Sequence, residues 1–136
     1  MAKILIVEDN ALNIKLFCDL LAAQGHQPEA VTDSRNALEV ARQFAPDLVI
    51  TDIQLPHVSG LELIHMLRAD EQLGGVPIMA VTAYAGQGDE ERVRGAGAQA
   101  YVSKPISVVR FVQEVEALLG PKEPVLEGAE PELRPE

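Results

Sequence analysis

Asp47-Leu48-Val49-Ile50-Thr51-Asp52 runs on into Ile53-Gln54-Leu55-Pro56 and then Ser59-Gly60. The apolar run reads as a strand buried on both faces, and the Pro and Gly read as the loop beyond its carboxyl end. Asp52 therefore stands where open α/β sheets place their chemistry. A second run, Lys3-Ile4-Leu5-Ile6-Val7, ends on two further acids, Glu8 and Asp9. Three acids leaving two strand ends suggest a magnesium site with one carboxylate free to react.

Outward from these two runs, strand-like and helix-like stretches alternate. The first strand, 3–7, leads into a helix over 11–24 with Leu12, Leu16 and Leu20 on one face and Gly25 as its stop. Residues 27–31 form a weaker strand. The second helix starts near Ser34, uses Leu38, Ala41 and Phe44, and ends at Pro46. Ser59 and Glu62 have the spacing of a capping box and open a third helix that carries Leu63, Ile64 and Leu67. Residues 77–81 are the fourth strand. A glycine-rich stretch, 85–98, follows and holds a helix around Glu90–Ala96 with little beyond Val93 to anchor it, which makes it the candidate moving part. After a fifth strand at 100–102, Ser107 caps a last helix that repeats Val108, Phe111, Val112, Val115, Leu118 and Leu119 until Gly120-Pro121 stops it. Five strands alternating with five helices predict a doubly wound α/β fold: a parallel sheet covered on both faces, with the first and third strands interior.

The chain has 136 residues, enough for one domain with a real core. Residues 1–119 read as that domain and 120–136 as a disordered tail rich in Pro and Glu. With 21 acids against 11 bases the net charge is −10; the tail carries five acids and two bases, a net of −3, leaving −7 on the domain. An acidic domain without a Lys/Arg cluster argues against nucleic acid and suits a divalent cation and a partner with a positive patch. The single cysteine, Cys18, rules out an internal disulfide and reads as a small core side chain. Glu8 and Asp9 interrupt any leader-like apolar segment, and no stretch approaches the roughly 20 apolar residues of a membrane span. A soluble cytoplasmic protein is expected.

Chain connections leave parallel strands at their carboxyl ends, so Glu8, Asp9, Asp52, Thr82, Ala83 and Lys104 collect at one sheet edge. Each has a plainer reading: Glu8 and Asp9 as acids favouring a helix start, Thr82 as a strand end, Lys104 as a solvated lysine. His26, His57 and His65 lack ligand spacing and read as surface residues. Convergence decides for a site, because carboxylates gathered at a buried edge repel one another without a cation.

Glu8-Asp9-Asn10, Asp52 with Pro56 and Gly60, Thr82-Ala83 and Lys104-Pro105 together resemble the motif set of the bacterial response-regulator receiver domain, over about residues 3–119. Ile6-Val7-Glu8-Asp9-Asn10, Asp52-Ile53-Gln54-Leu55-Pro56, Gly88-Asp89-Glu90-Glu91-Arg92 and the stretch from Ser103 to Val109 are similar to single-domain members that act in alphaproteobacterial cell-cycle control. The resemblance implies the strand order 2-1-3-4-5. It implies Asp52 as acceptor of a phosphoryl group from a phosphohistidine. Asp9, Asp52 and the Gln54 backbone carbonyl would be magnesium ligands, with Glu8 acting through water. Thr82 and Lys104 would bind the phosphoryl oxygens, and Tyr101 would be an aromatic switch coupled to Thr82. The family often has a cis peptide before the proline at Lys104-Pro105. The implied partners are a sensor histidine kinase or histidine phosphotransferase upstream and a kinase or diguanylate cyclase downstream, with the chain a monomer or weak dimer. The readout face would be built from the fourth helix, fifth strand and fifth helix, with Val109 and Val112 either on it or in the core. Gln54 and Tyr84, each two residues beyond a site residue, should border the path of an attacking water and tune the lifetime of the phosphate.

A chemotaxis-type regulator that binds a flagellar motor switch is the alternative within the family. A magnesium-dependent phosphohydrolase would place its general acid at position 54, where Gln54 cannot exchange a proton. A dinucleotide-binding domain would place glycines where Glu8-Asp9-Asn10 stand.

Overall fold

β3 (Leu48–Asp52) is buried at all five positions, as an unbroken apolar run requires of a central parallel strand. In the computed structural model, which describes residues 2–83 and 88–119, β3 lies between β1 (Lys3–Val7) and β4 (Ile78–Thr82). β2 (Gln27–Val31) and β5 (Ala100–Ser103) form the edges. All pairings are parallel and the order is β2-β1-β3-β4-β5, as expected. The connections are α1 (Ala11–Ala23), a 3-10 turn (Ser34–Asn36) running into α2 (Ala37–Phe44), α3 (Gly60–Ala69) and α4 (Asp89–Ala96), and α5 (Val108–Leu119) follows the last strand. The chain leaves β1 toward β2 and then returns to its other side as β3. That reversal opens a crevice between the carboxyl ends of β1 and β3. The expected tail, 120–136, and Tyr84 lie outside the described residues.

Alternation along the strands splits the core in two. Leu5, Val7, Val49, Ile78 and Ala80 pack under α2, α3 and α4. Ile4, Ile6, Ile50, Met79 and Val81 pack under α1 and α5, where Phe17 and Phe111 stack with centroids 5.1 Å apart.

The structure corrects the expected face of α1. Phe17 and Leu21 are its buried residues, whereas Leu12 is 79% exposed and Leu16 38%. This helix is apolar around most of its circumference, so periodicity alone does not select a face; the aromatic stack on Phe111 does. Likewise Val108, at the first position of α5, stays 48% exposed, Val109 is exposed, and Phe111 and Val115 are buried. Cys18 is half-buried against the core. His57 and His65 are exposed, but His26 is not: its Nδ1 accepts the Ala2 N–H (3.2 Å), so the ring proton sits on Nε2 and donates to Glu116 of α5 (2.7 Å). A histidine buried by long-range contacts has no local sequence signal.

α4 has the single buried residue Val93, as its composition implies, and no side-chain cap at Gly88. Its far end is held from α3. The Arg68 guanidinium donates to the carbonyls of Gly97, Gly74 and Val76 and to the Gln99 amide oxygen.

The Ser59–Glu62 capping box forms as expected, with both reciprocal bonds present. Gly60, the first residue of α3, lies directly against the end of β3. A Cβ there would sit 2.1 Å from the Asp52 carbonyl oxygen and 2.6 Å from Ile53 Cα, both backbone atoms that cannot swing aside. Gly60→Ala is expected to lose about 3 kcal/mol in urea unfolding, an overpacking cost. Gly75→Ala, where a Cβ meets nothing within 4 Å, should stay within about 0.5 kcal/mol of wild type.

Candidate functional site

Glu8 continues the β1 ladder by donating its N–H to Val31 (3.1 Å). Successive residues of an extended chain face opposite ways. Glu8 accordingly turns into the edge and is buried, while Asp9 is exposed. Asn10 then caps α1, its side-chain oxygen accepting the Asn13 N–H (3.0 Å). Across the crevice, Asp52 ends β3 and is 7% exposed. Its Oδ1 accepts the Gln54 N–H (3.1 Å), and the Thr51 hydroxyl donates to its carbonyl (2.9 Å). Thr82 ends β4, buried. Beyond β5 the Lys104 N–H donates to the Thr82 carbonyl (2.8 Å), and the Lys104–Pro105 peptide is cis.

Lys104 joins the two sides of the crevice. Its ammonium lies 3.0 Å from Asp52 Oδ2 and 3.1 Å from Glu8 Oε1. Burial pushes the Glu8 carboxyl above its ordinary value; the Lys104 bond opposes this and the neighbouring Asp52 charge adds to it. For Lys104, burial alone would lower the pKa, but the bonds to Asp52 and Glu8 prevail and hold it above the usual lysine range. Carboxylate oxygens of Glu8, Asp9 and Asp52 lie within 4.8 Å of one another. Three carboxylates and one ammonium leave two negative charges. An all-oxygen donor set with that residual charge fits magnesium.

Glu8, Asp9, Asp52 and Lys104 are thus brought together, with Gln54 against Asp52 and Thr82 on the adjacent strand end. Tyr101 lies one strand further, on β5, and is 6% exposed. It shares a cavity of about 50 Å³ with Ile53, Gln54, Leu61, Thr82 and Val93. Its buried hydroxyl has no hydrogen-bond partner among the described residues. Burial raises the phenol pKa, and the Asp89 and Glu90 charges add to that. Two further residues support the site without a site role having been expected of them. The Asn13 amide approaches Glu8 Oε2 (3.5 Å), for which the Glu8-Asn10-Asn13 spacing was the available signal. The buried Ser34 hydroxyl donates to the Pro56 carbonyl (2.9 Å) and accepts the Val58 N–H (3.2 Å) across His57, whose φ is 70°. That contact spans two loops and left no local trace.

The doubly wound fold, with an acid–lysine cluster at its reversal crevice, is that of a receiver module, and residues 4–116 match the response regulator receiver domain; the chain belongs to that family. It is 51% identical over 117 residues, 86% of this chain and 95% of the other, to the polar-differentiation response regulator DivK of Brucella ovis. Among solved structures, the receiver domain of the sensor histidine kinase PA1611 from Pseudomonas aeruginosa superimposes with a TM-score of 0.80 at 32% identity, covering 88% of this chain and 98% of that one. That structure has a magnesium ion coordinated in its active site cleft. Vibrio cholerae CheY4, at 24% identity and a TM-score of 0.81 over 87% of this chain and 98% of that one, shares the fold. No helix among the described residues is long and apolar enough to cross a membrane.

Two outcomes are expected. Unfolded Glu8 titrates near 4.5 and folded Glu8 higher. Just above pH 4.5 the native protein therefore holds a proton that the unfolded chain has released, and the Glu8 contribution to stability falls as pH rises through that window. Urea unfolding in metal-free buffer at stepped pH should show wild type losing stability relative to Glu8→Gln as pH rises from 4.5. Tyr101→Phe removes an unpartnered buried hydroxyl and should gain about 1 kcal/mol in the same assay; a loss of that size would contradict the assignment.

Proposed function

We propose that Asp52 accepts a phosphoryl group from a phosphohistidine and that protein partners detect its occupancy. The observation that carries this reading is the Lys104 ammonium, set between buried Asp52 and Glu8 at the crevice between β1 and β3. A lysine in that place can leave the carboxylates for the oxygens of an arriving phosphoryl group without leaving the edge. Asp9, Asp52 and the Gln54 carbonyl would hold magnesium, with Glu8 acting through a water molecule. The metal, when bound, would neutralise charge on the transferred group. In-line transfer needs positioning and charge neutralisation more than covalent chemistry by neighbours. The donor's P–N bond breaks as the bond from an Asp52 carboxylate oxygen to phosphorus forms. Thr82 donates to a phosphoryl oxygen, and Lys104 pairs with another.

Phosphorylation then adds up to about two negative charges to the edge. Thr82 moves toward them, and Tyr101 changes rotamer with it. The unpartnered Tyr101 hydroxyl favours such movement, because the inward position leaves a polar group unsatisfied. The face of α4, β5 and α5, where Val108 and Val109 are exposed, changes shape and is read. Gln54 and Tyr84 set how long the phosphate lasts. The transfer is a single event on the receiver rather than turnover.

The likeness to DivK supports a cytoplasmic role in cell-cycle or developmental control. Its partners would be a sensor histidine kinase or histidine phosphotransferase upstream and a kinase or diguanylate cyclase downstream. Residues 1–119 would suffice as the receiver, with 120–136 an appendage and the chain a monomer or weak dimer.

Incubation with acetyl phosphate and magnesium, followed by intact-protein mass spectrometry, should add one phosphoryl group to wild type and none to Asp52→Asn. Chelating the magnesium should reduce labelling of wild type to background. Undiminished labelling of Asp52→Asn would place the acceptor elsewhere.

A further inference from the structure

Asn13 occupies the third position of α1, where a capped helix favours Glu or Gln reaching back to the N-cap N–H. Here that arrangement is inverted. The Asn10 N–H donates to Glu8 Oε2 instead (3.3 Å), and the Asn13 amide donates to the same oxygen (3.5 Å). Asn13 keeps its own backbone N–H on the Asn10 side chain (3.0 Å), so its amide is directed toward the sheet edge from a fixed helix start.

Lys104 holds Oε1 of Glu8, and a single bond leaves a carboxylate free to turn about its last torsion. Two donors on Oε2 fix its plane. We infer that Asn13 is a positioning residue for the magnesium site, acting by holding the Glu8 carboxylate oriented beside Asp9 and Asp52. This rests on the magnesium reading above. Partners that orient metal-holding side chains typically contribute about 10–100-fold in affinity.

Asn13→Leu is close in size, cannot donate, and is the better helix former. A loss of metal affinity in this variant is therefore not a loss of helix. Magnesium titrations of the full chain, by calorimetry and by NMR, should show binding weakened about tenfold in Asn13→Leu. Metal-free thermal stability should be unchanged. In metal-free wild type, the side-chain amide resonances of Asn13 should shift on substituting Glu8→Gln and again on adding magnesium. Two results would overturn the inference while leaving the metal site standing: equal affinity in Asn13→Leu and wild type, or Asn13 amide resonances indifferent to Glu8→Gln. A wild-type protein that binds no magnesium would overturn the metal site and this inference together.

Discussion

Two carboxylates are buried at one sheet edge, and the ammonium of Lys104 makes that tolerable. Glu8 and Asp52 come from strands that pair side by side, so their charges are forced together by the backbone register. Leaving either unpaired in a buried place would cost several kcal/mol. Lys104 arrives from the far edge, across β4 and β5, and touches both. The interaction therefore closes the site from three strand ends at once. With Asp9 beside them, three carboxylates still exceed the one ammonium by two charges.

The rest of the architecture serves this edge. The unbroken apolar strands bury the sheet on both faces, so polar chemistry is confined to the ends. Gly60 lets α3 start within van der Waals range of the β3 terminus, which sets the course of the loop carrying Gln54. Ser34 and the Ser59–Glu62 box hold the remainder of that loop. On the other side, Asn10 and Asn13 join Glu8 to the start of α1. Little of this rigidity reaches α4. Its N-terminal end has no side-chain cap and its one buried residue is Val93, while Arg68 secures the loop beyond its C-terminal end.

Much of the site was legible because parallel topology converts sequence position into spatial position. Once 3–7 and 47–51 were recognised as parallel strands, Glu8, Asp9 and Asp52 had to share an edge. Thr82 and Lys104 followed from the same rule. Ser59-Gly60-Leu61-Glu62 was equally readable, because a capping box is a local device. What escaped was side-chain partnership over long separations. His26 is buried through Glu116, ninety residues away, and Ser34 bridges a loop twenty-two residues on. In α1, ten apolar residues of thirteen offered more than one face, and packing selected Phe17 and Leu21 over Leu12 and Leu16.

By itself the sequence determined the alternation of strands and helices, the residues at each strand end and the acidic balance. Those are properties of local propensity, hydrophobic period and charge, which need no distant partner. Tertiary structure alone decided that the Lys104 ammonium would span Glu8 and Asp52 at hydrogen-bond distance, that the Tyr101 hydroxyl would be buried without a partner among the described residues, and which helical faces meet. These depend on strand register, on the depth of the crevice and on competition among side chains for the same space, and such terms exist only once distant segments have packed.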